Sequence, residues 1–129
     1  MFCSTFQAVT PASDGGYVNG NTAEGTNALF SLTTGTKNTA DGYLALFFNT
    51  NGRYNTAAGA QALYHNTTGG DNTAAGFEAL YSNTTGYYNA ANGYQALYPN
   101  TTGGENTANG GYALYNNSIG SCNTATGYQ

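Results

Sequence analysis

An all-β parallel β-solenoid, one coil per 17 residues, follows from three features of this sequence. From Asn21 the chain restarts every 17 residues without insertion or deletion, at Asn38, Asn55, Asn72, Asn89, Asn106 and Asn123. Each full unit carries glycine at positions 5 and 15 with an Asn-Thr-Thr-Gly turn, complete in three copies, which leaves no room for a helix of useful length. Asn, Ala, Gly and Leu hold fixed columns, the signature of units that stack like over like. Residues 21–129 are thus six full repeats and a partial seventh, and residues 1–20 form a degenerate N-terminal cap or assembly segment.

Within a unit, two short extended pieces are expected, at Thr-Ala-x (positions 2 to 4) and at Ala-Leu-aromatic (positions 8 to 10). Gly and Asn between them supply the turns. Side chains alternate along a strand, so Leu29, Leu46, Leu63, Leu80, Leu97 and Leu114 make the core ladder, aided by the Ala of position 3. The adjacent column, Phe30, Phe47, Tyr64, Tyr81, Tyr98 and Tyr115, then faces outward. Asn at positions 1 and 12 can stack amide on amide between coils about 4.8 Å apart.

So thin a core buries little apolar area against a backbone ordering cost of about 1–2 kcal/mol per residue. Six outward rings in a file also exceed the apolar patch a soluble monomer usually shows. The expectation is that the aromatic column meets copies of the same chain, end to end in a filament or side by side in a trimer.

The net charge of −4, with only two basic residues, excludes a nucleic-acid backbone reader. No apolar run is long enough for a membrane span. No catalytic constellation stands out, so the chain reads as non-enzymatic, with no cofactor. His65 falls in the variable column of Ser31, Phe48, Ser82, Pro99 and Asn116, and reads as a solvated loop residue. Asp71 and Glu105 share position 17 with Lys37, Tyr54, Tyr88 and Cys122, which is no continuous carboxylate ladder for a metal. Asn66, Asn83, Asn100 and Asn116 open Asn-x-Ser/Thr sequons at turns where a glycan could attach. Cys3 and Cys122 lie 119 residues apart, a multiple of the period, so both take position 17. Too distant to pair within one rod, they would meet if copies stacked in phase, as an inter-subunit disulfide in an oxidising compartment.

The columns Asn-Thr-Ala-x-Gly, Ala-Leu and Asn-Thr-Thr-Gly, with Asn72, Ala74 and Gly76 as one example, resemble repeats of bacterial and phage surface fibres. They are similar to the head domains of trimeric autotransporter adhesins, and that resemblance implies three chains in a left-handed parallel β-roll. The implied function is a structural, self-assembling subunit or segment of an extracellular fibre, cell-surface appendage or virion fibre, with adhesion to surface glycans as an added role. Residues 1–15 lack the basic start and apolar stretch of a secretory signal, so this location rests on the repeat class alone. Two alternatives stand beside it. One is an ice-binding solenoid using the file Thr22, Thr39, Thr56, Thr73, Thr107 and Thr124, which Ala90 interrupts. The other is a glycan-binding module that stacks sugars on the aromatic column.

Overall fold

The structure, a computed structural model, describes residues 16–129. It is a parallel β-solenoid. Seven parallel strands line one side: β2 (Asn21–Glu24), β3 (Thr39–Asp41), β4 (Thr56–Ala58), β5 (Thr73–Ala75), β6 (Ala90–Asn92), β7 (Thr107–Asn109) and β8 (Thr124–Thr126). Successive strands pair in unbroken register, Ala40 on Ala57 on Ala74 on Ala91, so every repeat is one coil. Thr suits the extended segment and the methyl of Ala turns inward: Ala40, Ala57, Ala74 and Ala91 are fully buried. Leu46, Leu63, Leu80 and Leu97 are fully buried beside them, with the Ala of position 8 completing a narrow core.

The second expected strand does not form. Positions 6 to 11 are consecutive turns after a bend at the glycine of position 5, and each leucine of the core column sits in the left-handed region, Leu63 at φ 52° and Leu80 at φ 53°. The leucines therefore point inward because the turn aims them there, and strand alternation has no part in it. A left-handed residue costs roughly 1–2 kcal/mol, while burying a leucine returns about 1.5–3 kcal/mol, so the turn is tolerated where the side chain fills the core. Coil-to-coil bonds persist around this corner: Leu63 N–H donates to Ala79 C=O and Leu80 N–H to Ala96 C=O, both at 3.0 Å.

Two amide ladders bind coil to coil, the position-1 column from Asn21 to Asn123 and the position-12 column from Asn49 to Asn100. In the position-1 column, Asn72 Nδ2 donates to Asn55 Oδ1 (3.1 Å) and, across its own coil, to Gly86 C=O (2.9 Å). Asn72 Oδ1 accepts from both the backbone N–H and the Nδ2 of Asn89, at 3.0 and 3.1 Å. All four side-chain valences of a fully buried amide are used. In the position-12 column the Nδ2 of Asn66, Asn83 and Asn100 likewise donates to the amide oxygen of the coil before and to a glycine C=O of its own coil, but the oxygens of Asn49, Asn66 and Asn83 accept only that one amide bond each. It stops short at the next coil: Asn100 Oδ1 is buried without a partner, and Asn117 Nδ2 donates to Gly120 C=O (3.0 Å). The neighbouring Pro99 has no N–H to match the bond that Ser82 gives to Tyr98 C=O at 3.0 Å. This seam lacks two of the bonds that the seam before it makes.

The N-terminal cap is described only from Gly16. Gly16–Tyr17 form β1, which pairs antiparallel with β2 on the edge opposite β3, and a 3-10 turn over Val18–Gly20 leads back into the first coil. Asn19 C=O accepts from Lys37 N–H at 3.1 Å, the bond that Thr36 makes with Tyr54 one coil later. The phase of the repeat thus reaches back to Asn19, but at Gly16–Tyr17 a reversed strand occupies the place where an in-phase coil would lay a parallel one. At the other end, an open depression of about 510 Å³ lies among Leu114, Tyr115, Asn117 and Ala125, and Leu114 is correspondingly only half-buried.

Candidate functional site

The solenoid turns positions 9 and 10 to opposite sides, so the leucines close the core while the aromatic column forms a ladder on the outside. Its six rings stack nearly parallel in one file. Phe30 lies 5.1 Å from Phe47, Phe47 5.5 Å from Tyr64, Tyr64 5.1 Å from Tyr81, Tyr81 5.0 Å from Tyr98, and Tyr98 5.7 Å from Tyr115. The cause is simple: a coil rise of about 4.8 Å brings identical side chains to stacking distance. Phe47, Tyr64, Tyr81 and Tyr98 are half-buried, and Phe30 and Tyr115 at the ends are more exposed. The rings cover one another's faces and leave their edges to solvent.

His65 joins this file. It stacks on Phe48 at 5.4 Å and meets Tyr64 and Tyr81 edge-on at 4.7 and 5.0 Å. Burial lowers its pKa below the ordinary 6.5, which favours the neutral ring. The solvated loop residue expected from its variable column is instead a packed member of the aromatic cluster, because its neighbours in the adjacent coils are themselves rings.

Burial raises the pKa of Tyr81 and Tyr98 above 10.0, and the charges of neighbouring tyrosines and of Glu78 push the same way. A raised pKa means that folding favours the protonated phenol. That contribution is fully present below pH 10.0 and is lost as pH rises through the folded-state values. Thermal melts should therefore hold steady toward pH 10.0 and fall beyond it. Tyr81→Phe/Tyr98→Phe should flatten that alkaline decline, since Phe already occupies the column at Phe30 and Phe47.

The other expected site residues separate. Asn66, Asn83 and Asn100 are fully buried and spend their Nδ2 on the amide ladder, so they are not accessible glycan acceptors. The turn chemistry that makes a sequon here is the same chemistry that buries it. Asn116, one position earlier in the repeat, is exposed. Cys122 is exposed at its corner with Sγ 3.7 Å from Glu105 Oε2, and Cys3 lies outside the described residues. Asp71 and Glu105 are exposed on separate coils. Among the described residues no group of three or more His, Cys, Asp or Glu is placed to hold a metal ion, and no helix is long and apolar enough to cross a membrane.

A second aromatic set went unread in the sequence because it is spread over two variable columns, positions 6 and 7. Phe77 stacks on Tyr94 at 5.4 Å, Tyr94 meets Tyr112 at 5.3 Å, and Tyr112 meets both Tyr115 (5.3 Å) and Tyr128 (5.5 Å). The rule that made the first ladder, aromatics one period apart as neighbours, gives Phe77 on Tyr94, while the contacts of Tyr112, one residue out of phase, lie beyond it. Comparison with protein-family models, with curated proteins and with solved structures yields no match to this chain.

Proposed function

We propose that this chain is a non-enzymatic structural rod, a subunit or segment of an extracellular fibre or surface appendage that assembles with copies of itself. The observation that carries the reading is where the repeated residues go. The Asn, Ala, Leu and Gly columns are spent on coil-to-coil stacking, while the side chains that vary lie mostly outside. What each coil preserves is the means of holding the next one, which makes length and stiffness the property on offer. The aromatic file supplies an exposed line of ring edges for a lateral contact. A bridge from Cys122 to the Cys3 of another copy would lock assembled rods, provided the second copy accommodates the reversed strand β1 at its first coil.

The covered ring faces weigh against a lectin built on this column, since a sugar stacks on a face and not on an edge. One observation favours a second reading: the Thr file, including Thr39, Thr56, Thr73 and Thr124, stands in register on the exposed side of the sheet, as an ice-binding surface requires. Electron microscopy across a concentration series separates the two. The rod reading expects elongated assemblies that Tyr81→Ala or Tyr98→Ala weakens. Short discrete particles at every concentration, together with thermal hysteresis, would replace it with the ice-binding one.

A further inference from the structure

The aromatic ladder carries a chemistry beyond packing. Tyr64, Tyr81, Tyr98 and Tyr115 stack in sequence at 5.0 to 5.7 Å, and Tyr112 extends the contact to Tyr94 and Tyr128. Phenols are the oxidisable groups of this chain in unusual excess: it has 12 Tyr, no Trp, one Met and two Cys. An oxidant that removes single electrons therefore meets tyrosine before almost anything else. A phenoxyl radical formed anywhere in this network has another phenol within ring contact, so coupling needs no encounter between molecules.

We propose that Tyr81 and Tyr98, the closest phenol pair of the stack, are a site of dityrosine formation that staples the fourth coil to the fifth. The co-reactant is hydrogen peroxide acting through a peroxidase. Each phenol gives up one electron and its phenolic proton, leaving two phenoxyl radicals. The radicals join through a new bond between ring carbons ortho to the oxygens. Each of those carbons then loses its hydrogen as a proton, and each oxygen regains one, restoring two phenols. The pair has lost two hydrogen atoms in all, and one peroxide has become two waters. Half-exposure suits the step, because the rings can tilt from the stack toward the geometry of the linked product while their edges stay open to the oxidant.

The link does not depend on self-assembly, so it is tested on dilute protein. The full chain is treated with peroxidase and hydrogen peroxide, and the monomer band is isolated. The expected result is dityrosine fluorescence in that band, a mass lower by two hydrogen atoms per link, and a proteolytic fragment joining Tyr81 to Tyr98. Tyr81→Phe/Tyr98→Phe, which keeps both rings and the stack, should lose the joined fragment and most of the monomer's fluorescence. Tyr88→Phe, an exposed ring outside the stack, should leave both in place. The proposal is overturned if the wild type yields only covalent dimers and larger species, or if its internal links map to other tyrosines. It is equally overturned if the double variant fluoresces as the wild type does.

Discussion

Gly76→Ala is expected to destabilise the rod by about 2–6 kcal/mol, adding left-handed strain of about 1–3 kcal/mol to overpacking of about 1–3 kcal/mol. Gly76 has φ +136°, a conformation that side chains with a Cβ rarely adopt. A Cβ there would stand 2.5 Å from Gly93 O and 2.7 Å from Gly93 C, both backbone atoms of the next coil. Neither side can give way cheaply: Gly76 N–H is bonded to Ala58 C=O and Gly93 N–H to Ala75 C=O, each at 2.8 Å. Two companion variants separate the causes. Gly69 has no positive φ, but its Cβ would lie 2.3 Å from Asn66 Oδ1 and 2.5 Å from Gly86 O, so Gly69→Ala isolates the crowding. Gly111 stands in a column that holds Ala60 in another coil, and its Cβ would meet nothing closer than 3.4 Å. Gly111→Ala should be neutral, or stabilising by about 0.4–1 kcal/mol through the unfolded chain. Urea melts of the three variants should rank them with Gly111→Ala the most stable and Gly76→Ala the least. Equal midpoints for Gly76→Ala and Gly111→Ala would mean that the fifth-position glycines do not sit in backbone contact.

The solenoid was legible because a fixed period is a statement about neighbours: residues 17 apart had to be in contact, and Thr56 on Thr73 or Leu63 beside Leu80 follow from that alone. What a coil does between its contacts was less legible. Leu63 is buried for a reason the alternation argument did not contain, since the conformation of position 9 is imposed by closing a 17-residue loop around a narrow core. The glycines of position 15 looked like turn residues. Gly69 lies outside the positive-φ region, and is glycine because Asn66 Oδ1, Gly86 O and Asn83 Nδ2 leave no room for a methyl. The aromatic column was placed on the outside, but its half-burial was not foreseen. Stacking is invisible in one coil and follows only when the rise between coils is set against the thickness of a ring. Asn66 shows the same limit from the other direction: a motif of three residues suggested a surface site, and the ladder it joins is built from residues 17 apart.

Asn72→Ala tests that ladder where it is most complete, and its expected cost matches that of Gly76→Ala. Removing the amide leaves the N–H of Asn89 and one Nδ2 hydrogen of Asn89 without a partner in the buried interior, while Gly86 C=O keeps its bond from Asn83 Nδ2 at 3.2 Å. A buried polar group left unpaired costs about 1–3 kcal/mol, so two of them amount to about 2–6 kcal/mol. That is a large share of the ~5–15 kcal/mol that holds a typical domain together. In a stacked array each coil touches only its neighbours, so the damage should be local: hydrogen exchange should quicken around Asn72 to Asn89 before it does at β2 or β8. Asn123→Ala is the matched control. Asn123 is half-buried and its side chain only donates, to Asn106 Oδ1 at 3.0 Å; its own N–H donates to the same oxygen at 3.0 Å, and that backbone bond survives the substitution. It should cost about 0.5–1.5 kcal/mol, the worth of an ordinary hydrogen bond. Asn72→Asp adds a sign. It keeps the shape but turns oxygen toward Asn55 Oδ1 and Gly86 O, where the amide now donates. Ionised, the carboxylate is a buried charge facing two acceptors; protonated, it regains one donor. Its folded-state pKa must therefore lie above the unfolded Asp value, and the variant should be least stable above that range and recover as pH falls. If Asn72→Asp matches the wild type at neutral pH, the amides are spacers and the ladder does not hold the coils together.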